Sequence, residues 1–174
     1  DADALNSFEG EAEVLGGLLA GRPALVTPHP AEFGRLTGMK VPEVLAGRFD
    51  VGAELARTLN ATVLLKGVPT VITAPDGGGL VAAGGTPALG AAGSGDVLSG
   101  IAGTLLAQLE DALVAGACAA WAHGRAGELA GRALPVRGVG LGDVIAAIAR
   151  VWTPLRRTRR YPVLAELPAV GGKA

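Results

Sequence analysis

The sequence predicts an α/β fold in which helices pack on a central sheet that carries an antiparallel hairpin near one edge. Two observations lead there. Short β-branched and leucine-rich runs alternate with helix-length segments of helical apolar spacing over residues 11–65. Beyond them, TVIT at 70–73 and LVAA at 80–83 flank the turn signal PDGGG at 75–79, the pattern of a hairpin. With 174 residues, the chain suits one domain with a substantial core, expected over 1–152, followed by a flexible tail at 153–174.

Each element has a local reason. Residues 11–21 read as a short helix, and after Arg22-Pro23 the run ALV at 24–26 is a buried strand ending at Thr27. In TPHPAEFGRLTG, residues 27–38, two prolines stiffen the chain around His29. Pro30 takes a first helical position, Glu32 suits the first turn, and Gly38 closes the helix. Pro42 is expected to open one longer helix in which Val44, Leu45, Val51, Leu55, Ala56 and Leu59 recur at helical spacing, with Asn60 as the stop. TVLL at 62–65 is the next strand and ends at Lys66-Gly67. Past a Gly-rich loop, Val97, Leu98, Ile101, Ala102, Leu105, Leu106 and Leu109 predict a helix with one broad buried face. Two further helices are expected at 111–132 and 142–152, and the tail, with RRTRRY at 156–161, has no periodicity.

Composition excludes several function classes. With 15 basic and 16 acidic residues, the net charge of −1 gives no attraction for a polyanion, so nucleic acid is not an expected partner. The apolar run ALVAGACAAWA at 112–122 contains glycine and is far shorter than a membrane span. Cys118 has no second cysteine to pair with and reads as a buried structural thiol, in keeping with a reducing cytoplasm. Lys40, Lys66 and Lys173 are the only lysines, so arginine is the default cation and Lys66, at the end of an apolar strand, needs an explanation.

The chemistry concentrates in GAAGSGDVLSG, residues 90–100. A Gly-rich backbone running into a helix N-terminus offers unpaired N–H groups and the positive end of the helix dipole, which suits a phosphate. The spacing matches neither the Walker pattern nor the dinucleotide fingerprint. Asp96 fits a helix cap, or a base that takes a proton from the attacking hydroxyl during phosphoryl transfer. Ligands bind at the carboxyl ends of strands in open α/β sheets, which makes Lys66 a phosphate or ribose contact unless it only caps the strand. His29 lies on the same rim, rigidly held, and is a ligand candidate; His123 reads as packed or solvated within a helix.

Taken together, DADALN (1–6), TPHPAEF (27–33), LLKGVPTVI (64–72) with PDG (75–77), GGTPALGAAGSGDVLSGIAGTLLAQ (84–108) and AAWAHGRAGELA (119–130) resemble the ADP/ATP-dependent NAD(P)H-hydrate dehydratases of the ribokinase-like superfamily. Gly-Ser-Gly-Asp alone is shared with sugar, thiazole and pyrimidine kinases of that superfamily, whereas TPHP together with GGTPALG is more particular to the dehydratases. The resemblance implies a three-layer fold with a mostly parallel central sheet, lacking the N-terminal strands and helices that precede DADAL in the family. It implies phosphorylation of hydrated NADH or NADPH by ADP or ATP, followed by loss of phosphate, with Mg2+. Carried onto this sequence, Asp96 is the base and touches the hydrate; Gly93, Ser94 and Gly95 form the anion hole. Lys66, Gly67, Val68, Pro69 and Thr70, with Gly95, line the nucleotide site, His29 contacts the hydrated cofactor, and Asp3 and Asn6 lie near it. No residue is assigned to metal, and a homo-oligomer is expected. The alternatives are a hydroxymethylpyrimidine or thiazole alcohol kinase and an inactive nucleotide-binding fragment.

Overall fold

The structure, a computed structural model, describes residues 1–153 and 164–167. Its elements run α1 (Asp3–Asn6), α2 (Ala12–Leu19), β1 (Leu25–Val26), α3 (Pro30–Thr37), α4 (Val41–Ala46), α5 (Gly52–Leu59), β2 (Thr62–Leu65), β3 (Thr70–Thr73), β4 (Gly79–Ala82), α6 (Ser94–Leu109), α7 (Ala112–Ala133), α8 (Leu141–Val151) and β5 (Leu164–Leu167), with short 3-10 turns at Pro87–Gly90 and Val136–Gly138.

The sheet has the order β1-β2-β3-β4-β5, and every strand is next to its neighbour in sequence. β1 and β2 are parallel, joined by the helical crossover α3 to α5. The other three pairings are antiparallel. The expectation of a mostly parallel sheet is therefore corrected for the described residues to a mixed one. The links β2–β3 and β3–β4 are too short for a crossover helix, and short links force neighbouring strands to run antiparallel.

Strand β2 divides the core. All four of its residues are buried, and alternation sends Val63 and Leu65 to one face and Leu64 to the other. On the first face Val63 and Leu65 join Phe33 and Leu36 of α3 and Leu55 and Leu59 of α5. On the second, Leu64 and Ile72 meet Leu98 and Ala102 of α6 and Ala119 and Ala120 of α7. A third cluster packs α7 on α8 through Ala122, Ala126, Val144 and Val151. Helices thus cover both faces of the sheet, as the three-layer expectation requires.

Three further expectations change. The single helix over 42–60 is two, because the chain turns after Gly47, where Asp50 and Val51 both donate to the Gly47 carbonyl. Glycine is the weakest helix former short of proline, and apolar spacing carried across it hid the break. On α6 only Leu98 and Ala102 of the seven-residue stripe are buried; Leu109 is 45 % exposed. The helix packs mainly on α7, so only the stripe that faces it and the sheet is closed. Strand β5, paired with β4 from Leu164 opposite Ala82 to Leu167 opposite Gly79, lies where an aperiodic tail was expected. The open edge of β4 selects it by backbone pairing, for which no side-chain period is needed. The remaining tail positions lie outside the described residues.

Phe33 is fully buried on the helix that brings Glu32 to the sheet rim. Phe33→Ala is expected to lower unfolding free energy by about 3–5 kcal/mol in urea titration; a loss under ~1 kcal/mol would show that this side of the core is not what fixes α3.

Candidate active site

The site is built around Lys66, delivered at the end of β2, where its N–H bonds the Pro28 carbonyl at 2.9 Å. Its ammonium lies 2.5 Å from Asp1 Oδ1 and 3.5 Å from Glu32 Oε2. Asp1 Oδ2 accepts from Ser99 Oγ of α6 at 2.8 Å, so one carboxylate bridges the strand end and the helix. Burial pulls the Lys66 ammonium below its ordinary value of 10.5, opposed by the Glu32 and Asp96 carboxylates, which favour the charged form.

Glu32 is held from the other side. His29 is the N-cap of α3: its Nδ1 accepts from the N–H groups of Ala31 and Glu32 at 3.1 Å each, and its own N–H donates to Glu32 Oε2 at 2.7 Å. This reciprocal capping box fixes both residues. The histidine is thus oriented by the cap as well as by its prolines. One ring nitrogen is engaged, and Nε2 lies 3.4 Å from Glu32 Oε1 on a half-exposed side chain.

Helix α6 begins beside this cluster. Gly93 is its N-cap at φ 84°, in the left-handed region that favours glycine, and an added Cβ would lie 2.7 Å from Leu141 Cδ1. The Ser94 and Asp96 N–H groups turn back to the Ala91 and Gly93 carbonyls, while the N–H groups of Gly93 and Gly95 have no protein acceptor among the described residues. A Cβ on Gly95 would stand 3.3 Å from Lys66 Nζ. Asp96 is exposed in the first turn.

A cavity of about 460 Å3 opens here, with a mostly apolar lining. Lys66, Gly67, Val68 and Thr70 form one wall. Pro69 holds that loop instead of lining it, since its carbonyl accepts from Arg48 Nη1 at 2.7 Å. Thr86, Pro87 and Leu89 form the opposite wall, and Ser94, Gly95 and His123 close the end.

The structure therefore brings Lys66, Gly93, Ser94, Gly95 and the 67–70 loop together, with His29 joined to them through Glu32. Asp96 does not line that cavity; it is exposed on the first turn of α6, near enough for its carboxylate to favour the charged form of Lys66. Asp3 and Asn6 are not brought in. Asp3 is exposed on α1, and Asn6 Oδ1 accepts from Arg35 Nη1 at 2.8 Å. From DADALN the residue at the site is Asp1. Asp1, Glu32, Ser99, Arg48 and His123 were not read from the sequence as site residues. The usable signal was Lys66 itself, because a lone lysine in an apolar strand end needs buried carboxylates.

The family model described as NAD(P)H-hydrate dehydratase matches residues 1–150. The chain belongs to this family. An ADP-dependent (S)-NAD(P)H-hydrate dehydratase of Neisseria meningitidis is 38 % identical over 159 residues, covering 91 % of the chain and 53 % of that protein. A bifunctional NAD(P)H-hydrate repair enzyme Nnr of Moorella thermoacetica is 41 % identical over 145 residues, or 83 % of the chain and 27 % of the relative. Among solved structures, the Bacillus subtilis ADP/ATP-dependent NAD(P)H-hydrate dehydratase co-crystallised with ATP/Mg2+ superposes with a TM-score of 0.71 at 35 % identity, over 75 % of this chain and 47 % of that one. A hydroxyethylthiazole kinase of Pyrococcus horikoshii, 18 % identical with a TM-score of 0.67, shares the fold. The chain thus spans about half the length of a single-function dehydratase and about a quarter of a bifunctional repair enzyme.

Removing one carboxylate from a buried pair leaves the other charge poorly compensated. Glu32→Gln, which keeps an acceptor for the cap, is expected to lower stability at neutral pH by about 3 kcal/mol in urea titration; a loss below ~0.5 kcal/mol would contradict the pairing. His123 is a second titratable group, held below its ordinary 6.5 by burial, against the opposing Ser94 hydrogen bond. Between its folded value and 6.5 the unfolded chain binds a proton that the folded chain refuses, so stability rises with pH there and is lost as pH falls below 6.5. Unfolding measured from pH 6.5 down to about 5 is expected to show this slope, and His123→Gln to flatten it; equal slopes would contradict a buried neutral imidazole.

Proposed function

We propose that the chain carries the dehydration site for hydrated NADH and NADPH, restoring the reduced cofactor at the expense of ADP or ATP. The observation that carries this reading is the convergence of Lys66, the start of α6 and the mostly apolar cavity, in a chain of this family. The nucleotide's base fits between the Val68 loop and the Thr86–Leu89 segment, while its terminal phosphate meets the free Gly93 and Gly95 N–H groups and the positive end of α6. The Lys66 ammonium, already close to the Gly95 Cα, adds positive charge there.

Asp96 takes the proton of the ring hydroxyl as its oxygen attacks the terminal phosphoryl, and the bond to AMP (from ADP) breaks. Hydroxide is a poor leaving group and phosphate a good one. In the second step the ring carbon–oxygen bond breaks, phosphate departs with that oxygen, and a proton leaves the adjacent ring carbon to restore the double bond. His29 presents its half-exposed edge to the substrate.

Among the described residues no group of three or more His, Cys, Asp or Glu could hold a metal. We therefore place Mg2+ on the nucleotide's phosphates, where few protein ligands are needed. No helix among the described residues is long and apolar enough to cross a membrane.

Incubation of the protein with hydrated NADH, ADP and Mg2+ is expected to restore absorbance in the reduced nicotinamide band with release of AMP and phosphate. A stable phosphorylated alcohol without that recovery would point to a kinase, and nucleotide binding without product to an inactive fragment. Asp96→Asn is expected to lower turnover by at least ~100-fold with little change in ADP affinity, whereas Lys66→Ala weakens ADP binding; full activity in the first variant would remove Asp96 as the base.

A further inference from the structure

Ser94 is the first residue of α6, one past the N-cap Gly93. Its hydroxyl makes no hydrogen bond to the helix's own N–H groups among the described residues. Its Oγ instead lies 3.1 Å from His123 Nε2 on α7, a contact between residues 29 apart in sequence and both buried, at 4 % and 8 % exposure. The imidazole also lines the cavity at the end nearest α6. A buried imidazole needs a partner for its ring nitrogens, and here that partner belongs to the Gly-rich entry to α6.

The position of α7 is itself fixed by a close approach. Gly124, next to His123, faces the backbone of the loop that walls the cavity, and an added Cβ would stand 2.7 Å from the Gly84 carbonyl oxygen. Leu89 of the same wall packs on α7, coming within 2.8 Å of a Cβ built at Gly127. Two residues along α7, Arg125 is paired with Glu128 at 3.2 Å. No acidic side chain is recorded against the imidazole among the described residues, which leaves Ser94 as its polar partner.

We propose that His123 is a positioning residue: through Ser94 it holds the first turn of α6 in register with the cavity wall, and so sets where the Gly93 and Gly95 N–H groups meet a phosphoryl group. The proposal rests on the dehydratase reading above. His123 borders the cavity beside Ser94, and its effect on the first turn of α6 runs through the Ser94 hydroxyl.

The test is a cycle of His123→Ala, Ser94→Ala and the double variant, with His123→Gln as the conservative replacement whose amide can still reach the hydroxyl. In the assay with hydrated NADH and ADP, each single variant is expected to lower kcat on the order of tenfold with KM for ADP changed by less than about twofold. The double variant is expected to be no worse than either single one, and His123→Gln to recover most of the loss. Unchanged kcat in His123→Ala, losses that multiply in the double variant, or a His123→Gln as slow as His123→Ala would each overturn the proposal. The bond is read separately by nitrogen-edited NMR of the His123 ring: a neutral imidazole whose Nε2 resonance moves in Ser94→Ala is expected, and an unmoved resonance overturns the proposal. A parent protein without turnover but with the moved resonance counts against the dehydratase reading alone.

Discussion

A lysine ammonium half inside a protein has to be neutralised, and most of this site follows from how Lys66 meets that need. Desolvation favours the uncharged amine and pulls the ammonium below its ordinary value, while nearby carboxylates favour the charged form. Asp1 and Glu32 do so from opposite sides, one at the start of the chain and one on the first turn of α3. Each carboxylate is then held by a further group: Asp1 by the Ser99 hydroxyl of α6, Glu32 by the N-cap of α3. Three segments far apart in sequence are thereby drawn to one point at the carboxyl end of β2, where open α/β sheets place their ligands.

The rest of the architecture supports that point from two faces. Phe33, Leu55 and Leu59 press α3 and α5 on one side of β2, fixing Glu32, while Leu98, Ala102 and Ala120 press α6 and α7 on the other. The sheet-to-helix connection at 84–93 contributes to the cavity lining and approaches α7 closely at Gly124. A mostly apolar lining with a few polar groups at one end is what a nucleotide with an apolar base and an anionic tail requires.

Local signals were legible and long-range ones were not. TVLL reads as β2 to the residue, because a short leucine-rich and β-branched run buried on both faces leaves few alternatives. Pro30 and Gly38 mark the first residue of α3 and its left-handed cap. The Gly-rich entry to α6 is equally plain, since Gly93 takes a left-handed conformation that favours glycine. By contrast, nothing in the spacing of Asp1 and Lys66, or of Ser94 and His123, reveals that they meet; those contacts are set by packing of whole elements. Glu32 was read for its favourable place in a helix dipole, which is true and incomplete. The apolar stripe of α6 was read as wholly buried because periodicity tells which residues share a face, not how much of that face a neighbour covers.

We propose that a nucleotide's terminal phosphate sits at the first turn of α6, beside Lys66. A crystal structure of the chain with ADP tests this. The base is expected between the Val68 loop and the Thr86–Leu89 segment, with terminal phosphate oxygens within hydrogen-bond distance of the Gly93 and Gly95 N–H groups. Phosphates bound away from that turn, with the cavity between those two walls empty, would contradict it.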